Sequence, residues 1–211
     1  MPDAKPGKAI VRKPKQGRSK ATVAAILEAG ARILAERGWA GFNTNAIAER
    51  AGVSIGSLYE YFPNKQALID EIAANHLVQG EALLLSAAAG TVGSEDPGVL
   101  VDALVQGLVD LHKDNPRLHR ALSSEVPLSP DIRARVEMLR QGAITFVGQA
   151  LAPHVDTPGV AAQLLVDTAD TVVHRWFVED DGKLAPPERM AKELRQMLLA
   201  YLVVRAKASQ S

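Results

Sequence analysis

The chain has 211 residues and an even balance of 24 Lys+Arg against 24 Asp+Glu, and a formal net charge of zero argues, taken alone, against a nucleic-acid partner. Hydrophobic residues at 47% exclude a mainly disordered chain, and the lack of cysteine excludes disulfides, thiolate metal sites and cysteine nucleophiles. No apolar run approaches a membrane span, and the start of the chain, charged from Lys5 onward, lacks the apolar core of a secretory signal, so a cytoplasmic protein with no membrane partner is expected.

The charge is unevenly placed. Residues 1 to 20 carry seven basic side chains (Lys5, Lys8, Arg12, Lys13, Lys15, Arg18 and Lys20) against Asp3, a net +6 that leaves −6 on the other 191 residues. A basic arm on an acidic body points to a polyanionic partner. Pro2, Pro6, Gly7, Pro14 and Gly17 oppose helix, so residues 1–18 read as a disordered arm. From Ser19, a candidate N-cap, Val23, Ile26, Leu27, Gly30, Ile33 and Leu34 form one stripe of an amphipathic helix that Gly38 ends. Thr44 can cap a short helix Asn45–Ala51 that stops at Gly52, and Ser54 can cap a second, Ile55–Tyr61. Pro63-Asn64 then opens a longer helix from Lys65 to about Leu85.

Ala87–Gly98 is small, glycine-containing and acidic, and is expected to be a loop or domain seam. Helical periodicity resumes over Val99–Asp114, Arg117–Ser124, Asp131–Leu151, Gly159–Val178 and Pro187–Val204, punctuated by Asn115-Pro116, Pro127, Pro153 and the acidic turn before Gly182. Strand alternation and hairpin signals are lacking, so the expected fold class is all-α.

Gly41–Lys65, GFNTNAIAERAGVSIGSLYEYFPNK, carries the chemistry. Ile47, Ala48, Ala51, Val53, Leu58 and Phe62 are spaced to share the inner face of two short helices, and Gly52 supplies the permissive backbone of the turn between them. That is the arrangement of a helix-turn-helix, whose second helix enters the DNA major groove. Ser54, Ser57, Tyr59 and Tyr61 are short or rigid hydrogen-bonding groups expected to face outward, and Gly56 allows close backbone approach. The helix N-termini, with Thr44 on the first, offer N–H groups to phosphate; Lys65, and Arg18 and Lys20 at the end of the arm, add positive charge. Capped short helices joined by a glycine turn also occur in all-α proteins that never touch DNA, and the adjacent basic arm is what favours the DNA-binding alternative.

The segment resembles the DNA-binding domain of the TetR family of transcriptional repressors. The likeness rests on Gly38-Trp39 after the first helix, then Thr44, Ile47-Ala48, Ala51-Gly52-Val53-Ser54, Gly56, Leu58-Tyr59, Tyr61-Phe62, Lys65 and Leu68, and covers about residues 19–72. The resemblance implies a three-helix DNA-binding domain over 19–72 and a helical ligand-binding and dimerisation domain over 73–211. It implies a homodimer on a palindromic operator of double-stranded DNA, released by a small inducer that the sequence does not identify. By position it places Thr44 and Ser54 on phosphates, Ser57 and Tyr59 on bases or phosphates, Tyr61 on phosphate and Lys65 in a charge contact. Ile55 departs from the family, which often has Lys there; it forgoes a phosphate or guanine contact and could instead touch a thymine methyl.

In the C-terminal part the resemblance is architectural. It implies a four-helix dimer interface from the last two long helices, along Leu164, Leu165, Thr168 and Val172 and along Leu194, Met197, Leu198, Tyr201 and Leu202; these stripes could also pack inside one monomer. Leu108, His112, Met138, Phe146, His174, Trp176 and Phe177 are the pocket candidates for an apolar or aromatic inducer, and each could equally be plain core. No cofactor and no metal are expected: His112 and His119 are seven apart, but Asn115-Pro116 breaks any helix that would align them. The alternatives are an architectural or inducer-independent DNA-binding regulator, and a small helical enzyme. The enzyme reading lacks a His-Glu-x-x-His pair, a phosphate loop or a serine elbow, and the expectation is no catalysis.

Overall fold

The computed structural model describes residues 17–91, 94, 96–113, 115–179 and 185–208. The basic arm falls almost wholly outside the described residues, which begin at Gly17 in the first helix. Among the described residues there is no strand, and none of their helices is long and apolar enough to cross a membrane. The α-helices are α1 (Gly17–Gly41), α2 (Thr44–Ala51), α3 (Ile55–Tyr61), α4 (Lys65–Thr91), α5 (Pro97–Lys113), α6 (Pro116–Arg120), α7 (Pro130–Leu151), α8 (Pro158–His174) and α9 (Pro187–Ala208). A π-turn, Ala121–Glu125, follows α6, and another, Arg175–Glu179, follows α8.

Most boundaries obey the local signals, with instructive exceptions. Prolines open α5, α6, α7, α8 and α9, where a missing N–H costs nothing. Ser19 lies inside α1 rather than capping it. Ala87–Gly98 is largely not a loop: α4 continues to Thr91 through good helix-forming alanines, and α5 has begun at Pro97.

The chain divides into two compact units. In the first, described residues up to His76 are joined by Arg117–Arg133. Its core is Ile26, Ile33, Leu34, Phe42, Ile47, Leu58, Phe62, Leu68 and Ile69, all essentially without solvent access, and Leu118, Ala121, Leu122 and Ile132 are buried as well. The alternation of these residues with exposed Glu28, Arg32 and Glu36 is the amphipathic stripe of α1 made physical.

The second unit comprises Leu77–Pro116 and the residues from Ala134 onward. Leu100, Val101, Val105 and Val109 of α5 meet Ala161, Ala162, Leu165, Val166, Ala169 and Val173 of α8, with Val147 and Leu151 of α7 and Leu194, Leu198 and Leu202 of α9. Paired charges tie its helices at the rim. Arg140 of α7 grips Asp167 of α8 with two hydrogen bonds of 2.9 and 2.8 Å, and Arg195 of α9 holds Asp102 of α5 in the same two-pronged way.

Candidate nucleic-acid interface

The face that could meet DNA is built by α2, the turn and α3. Asn43, rather than Thr44, caps α2, its side-chain oxygen accepting the Ala46 N–H at 2.9 Å; Thr44 is the first helical residue. The helix ends at Gly52, whose left-handed backbone (φ 69°, ψ 30°) directs N–H groups back to the last carbonyls, with Val53 N–H donating to Ala48 at 3.0 Å. Ser54 caps α3 by accepting the Ser57 N–H at 3.0 Å, and the two serine hydroxyls lie 2.9 Å apart. The Tyr59 hydroxyl lies 3.1 Å from Thr44 Oγ1, which cross-braces α2 and α3 at the surface.

Six of the expected groups reach the surface of α2, the turn and α3. Ser54, Ile55, Gly56 and Tyr59 are exposed and Ser57 half-exposed, with half-buried Thr44 beside Tyr59. Lys20 is exposed on α1, and Arg18 lies in the same helix. Two expectations need correction. Tyr61, expected to face outward, is only 7% exposed, because Leu58, Tyr61 and Phe62 sit three and four residues apart on the face that α3 buries. Lys65 is half-buried and turned inward: its ammonium donates to the Trp39 carbonyl at 3.2 Å and stands 3.5 Å above the Trp39 ring. Burial pushes the Lys65 amine below its ordinary pKa.

Arg50 is likewise engaged. It makes paired bonds of 2.6 and 2.8 Å to Glu36 of α1, and this hydrogen bonding holds the Glu36 carboxyl below its usual range. Both cations between Gly38 and Gln66 therefore brace the domain, and the exposed face of α2–α3 presents hydroxyls, peptide groups and Ile55 instead of positive charge. Such a face can discriminate base edges and seat phosphates, but it attracts a polyanion weakly on its own.

In the second unit the pocket candidates separate. His112 is buried (1% exposed), lies edge-on to His174 with ring centroids 5.8 Å apart, and stacks on Phe177; Phe177 packs on Trp176 at 4.6 Å. His112 Nδ1 must donate to the Leu108 carbonyl at 2.7 Å, which leaves the neutral ring's Nε2 as an acceptor, and burial lowers the pKa to favour that neutral form. Trp176 is 2% exposed, and its Nε1 has no hydrogen-bond partner among the described residues. The π-turn lets the consecutive residues Trp176 and Phe177 both point inward. Leu108 and Phe146 pack against the same core, but Met138, 68% exposed on α7, does not belong to it.

The dimerisation stripes divide too. Leu165, Leu194, Leu198 and Leu202 are buried within the monomer core; Thr168, Val172 and Tyr201 are half-buried; Leu164 and Met197 are exposed at 48% and 49%. Adjacent helical residues point about 100° apart, so Leu164 and Leu165 cannot serve one face. The exposed large apolar residues of these helices are Val160 and Leu164 on α8 and Met197, Val203 and Val204 on α9; sequence periodicity did not single out Val160, Val203 or Val204.

Comparison with known proteins agrees with this architecture. The profile of bacterial regulatory proteins of the tetR family matches residues 26–72, and that of the tetracyclin repressor-like C-terminal domain matches residues 96–202. No curated protein matches the chain. Among solved structures it is similar to a transcriptional regulator from Rhodococcus sp. Rha1 (22% identity, 87% of this chain and 97% of that one, TM-score 0.70). It is similar to NalD, the secondary repressor of the MexAB-OprM multidrug efflux pump in Pseudomonas aeruginosa (23%, 88% and 97%, TM-score 0.68). A third is FadR from Bacillus subtilis in complex with stearoyl-CoA (18%, 83% and 96%, TM-score 0.64).

Proposed function

The chain belongs to the TetR family of bacterial regulatory proteins, and from that membership we propose that it is a ligand-responsive transcriptional repressor, bound as a dimer to a palindromic operator and released by a small apolar or aromatic inducer. The observation that carries the DNA-binding part is the α2–α3 face, where Ser54 pairs with Ser57 and Tyr59 with Thr44 on either side of the Gly52 turn. Two copies are needed to read a palindrome, and the exposed Val160, Leu164, Met197 and Val204 give α8 and α9 an apolar surface that a second copy would cover. The inducer is neutral because His112, the one buried side chain of the second unit's described residues that could carry a positive charge, has its charged form disfavoured by burial and so offers little to an anion. It seats beside His112, His174, Trp176 and Phe177. The same fold carries a repressor in NalD and a stearoyl-CoA complex in FadR, which is the pattern of repression and small-molecule response proposed here.

Selection of bound sequences from random duplex DNA tests the first half. Enrichment of a two-fold symmetric site bound by two chains is expected; no enrichment, or a site bound by one chain, overturns it. Screening neutral aromatic and aliphatic compounds for release of that site tests the second. Release only by charged compounds would overturn the pocket chemistry.

A further inference from the structure

The junction between α1 and α2 is held from a distant segment. Gly38 breaks α1 with φ 63° and ψ −172°, so the Trp39 N–H leaves the helical ladder. That N–H donates at 3.1 Å to Oε2 of Glu125, 86 residues later. The Trp39 carbonyl accepts Lys65 and the Phe42 N–H, and its ring stacks on Phe42 at 5.5 Å, immediately before the Asn43 cap of α2.

Glu125 is presented by a built element. It ends the π-turn Ala121–Glu125, closed by the Val126 N–H on the Ala121 carbonyl at 3.1 Å. A widened turn leaves carbonyls under-used, and the Ser123 hydroxyl stands 2.8 and 3.2 Å from those of His119 and Arg120. Buried Ala121 and Leu122 anchor the turn in the core of the first unit. Beyond it, Gln66 of α4 donates to the Pro127 carbonyl at 3.0 Å, and Asp70 accepts the Ser129 N–H. The carboxylate thus reaches Trp39 from a fixed place.

We infer that Glu125 is a positioning residue for DNA recognition: its carboxylate caps the Trp39 amide and fixes the junction from which α2 and α3 are presented. This rests on the DNA-binding reading, and it reverses the usual sign of charge. An acid in a polyanion-binding domain that did nothing else would at most repel phosphate, so removing it would leave affinity unchanged or raise it. A positioning acceptor predicts the opposite for alanine and rescue by glutamine, whose amide oxygen keeps the acceptor without the charge.

The test uses the full chain and the symmetric site selected above. Glu125→Ala is expected to weaken specific binding about fivefold or more, with the slope of log affinity against log salt unchanged, because no phosphate contact is lost. Glu125→Gln is expected to stay within about twofold of the parent chain. Without DNA, Glu125→Ala in a Trp176→Phe background should make the emission of Trp39 more accessible to acrylamide, and Glu125→Gln should not. Unchanged or tighter binding by Glu125→Ala, or a Gln variant as weak as the Ala variant, would overturn the inference alone. A parent chain that selects no DNA would overturn the DNA-binding reading and this inference with it.

Discussion

Gly38→Ala is expected to harm stability and operator binding together, and a mutant cycle separates the causes. At φ 63° and ψ −172° the residue occupies a region nearly closed to side chains, so alanine there costs about 2–3 kcal/mol of backbone strain. Its Cβ would also stand 2.6 Å from Glu125 Oε2. That oxygen ends a flexible side chain and can swing away, but only by surrendering the Trp39 N–H, an exposed bond worth about 1 kcal/mol. Gly52 is the control. It too has positive φ, but a Cβ there meets nothing within 4 Å, so Gly52→Ala should cost only about 1 kcal/mol. Urea unfolding and operator titration of the two single variants, of Glu125→Ala, and of the Gly38→Ala/Glu125→Ala double give the comparison. The total at Gly38 should reach about 3–4 kcal/mol, and the double variant should be better than additive by about 1 kcal/mol, because the bond can be lost only once. Strict additivity, or equal costs at the two glycines, would refute the reasoning.

Leu164→Glu or Met197→Glu should yield a folded monomer by light scattering, with operator binding lost, whereas Leu165→Ala should lower unfolding stability by about 2–5 kcal/mol with no selective dissociation; an intact Leu164→Glu dimer would exclude that face of α8. Deleting residues 2–17 removes five cations, Lys5, Lys8, Arg12, Lys13 and Lys15, so the salt slope should flatten by up to about 4–5 units, and an unchanged slope would mean the arm is idle. The lowered pKa of His112 means that below the unfolded value of about 6.5 the unfolded chain takes up a proton that the folded chain resists. Stability from this group is therefore complete above that pH and lost as pH falls toward the lowered value, and His112→Asn, which keeps a donor for Leu108, should flatten that limb of the urea profile.

The fold was legible where the signal is local. The Gly52 turn, the Ser54 cap and the proline starts of α7 and α9 depend on a residue and its near neighbours, and they stand where the pattern put them. Tyr61 was legible but misread: its spacing from Leu58 marks a buried ring, and its hydroxyl drew attention outward. Leu164 and Leu165 show a different limit, because periodicity defines stripes without saying which one a second chain covers. At the Trp39 junction the local signal is Gly38 alone, and the ties that hold it have none, since Lys65 and Glu125 reach it from 26 and 86 residues away and a π-turn has no simple sequence signature. That junction also completes the charge argument. Net charge zero argued against a nucleic-acid partner, and the basic arm reversed the inference; the structure adds that Arg50 and Lys65 are taken by Glu36 and Trp39. On the proposed function, attraction and discrimination are assigned to different parts of the chain: long-range, salt-sensitive pull to the arm, and hydroxyl-based selection to the nearly neutral α2–α3 face. Substitutions on that face should alter which sequence is bound while leaving the salt slope intact, and truncation of the arm should do the reverse.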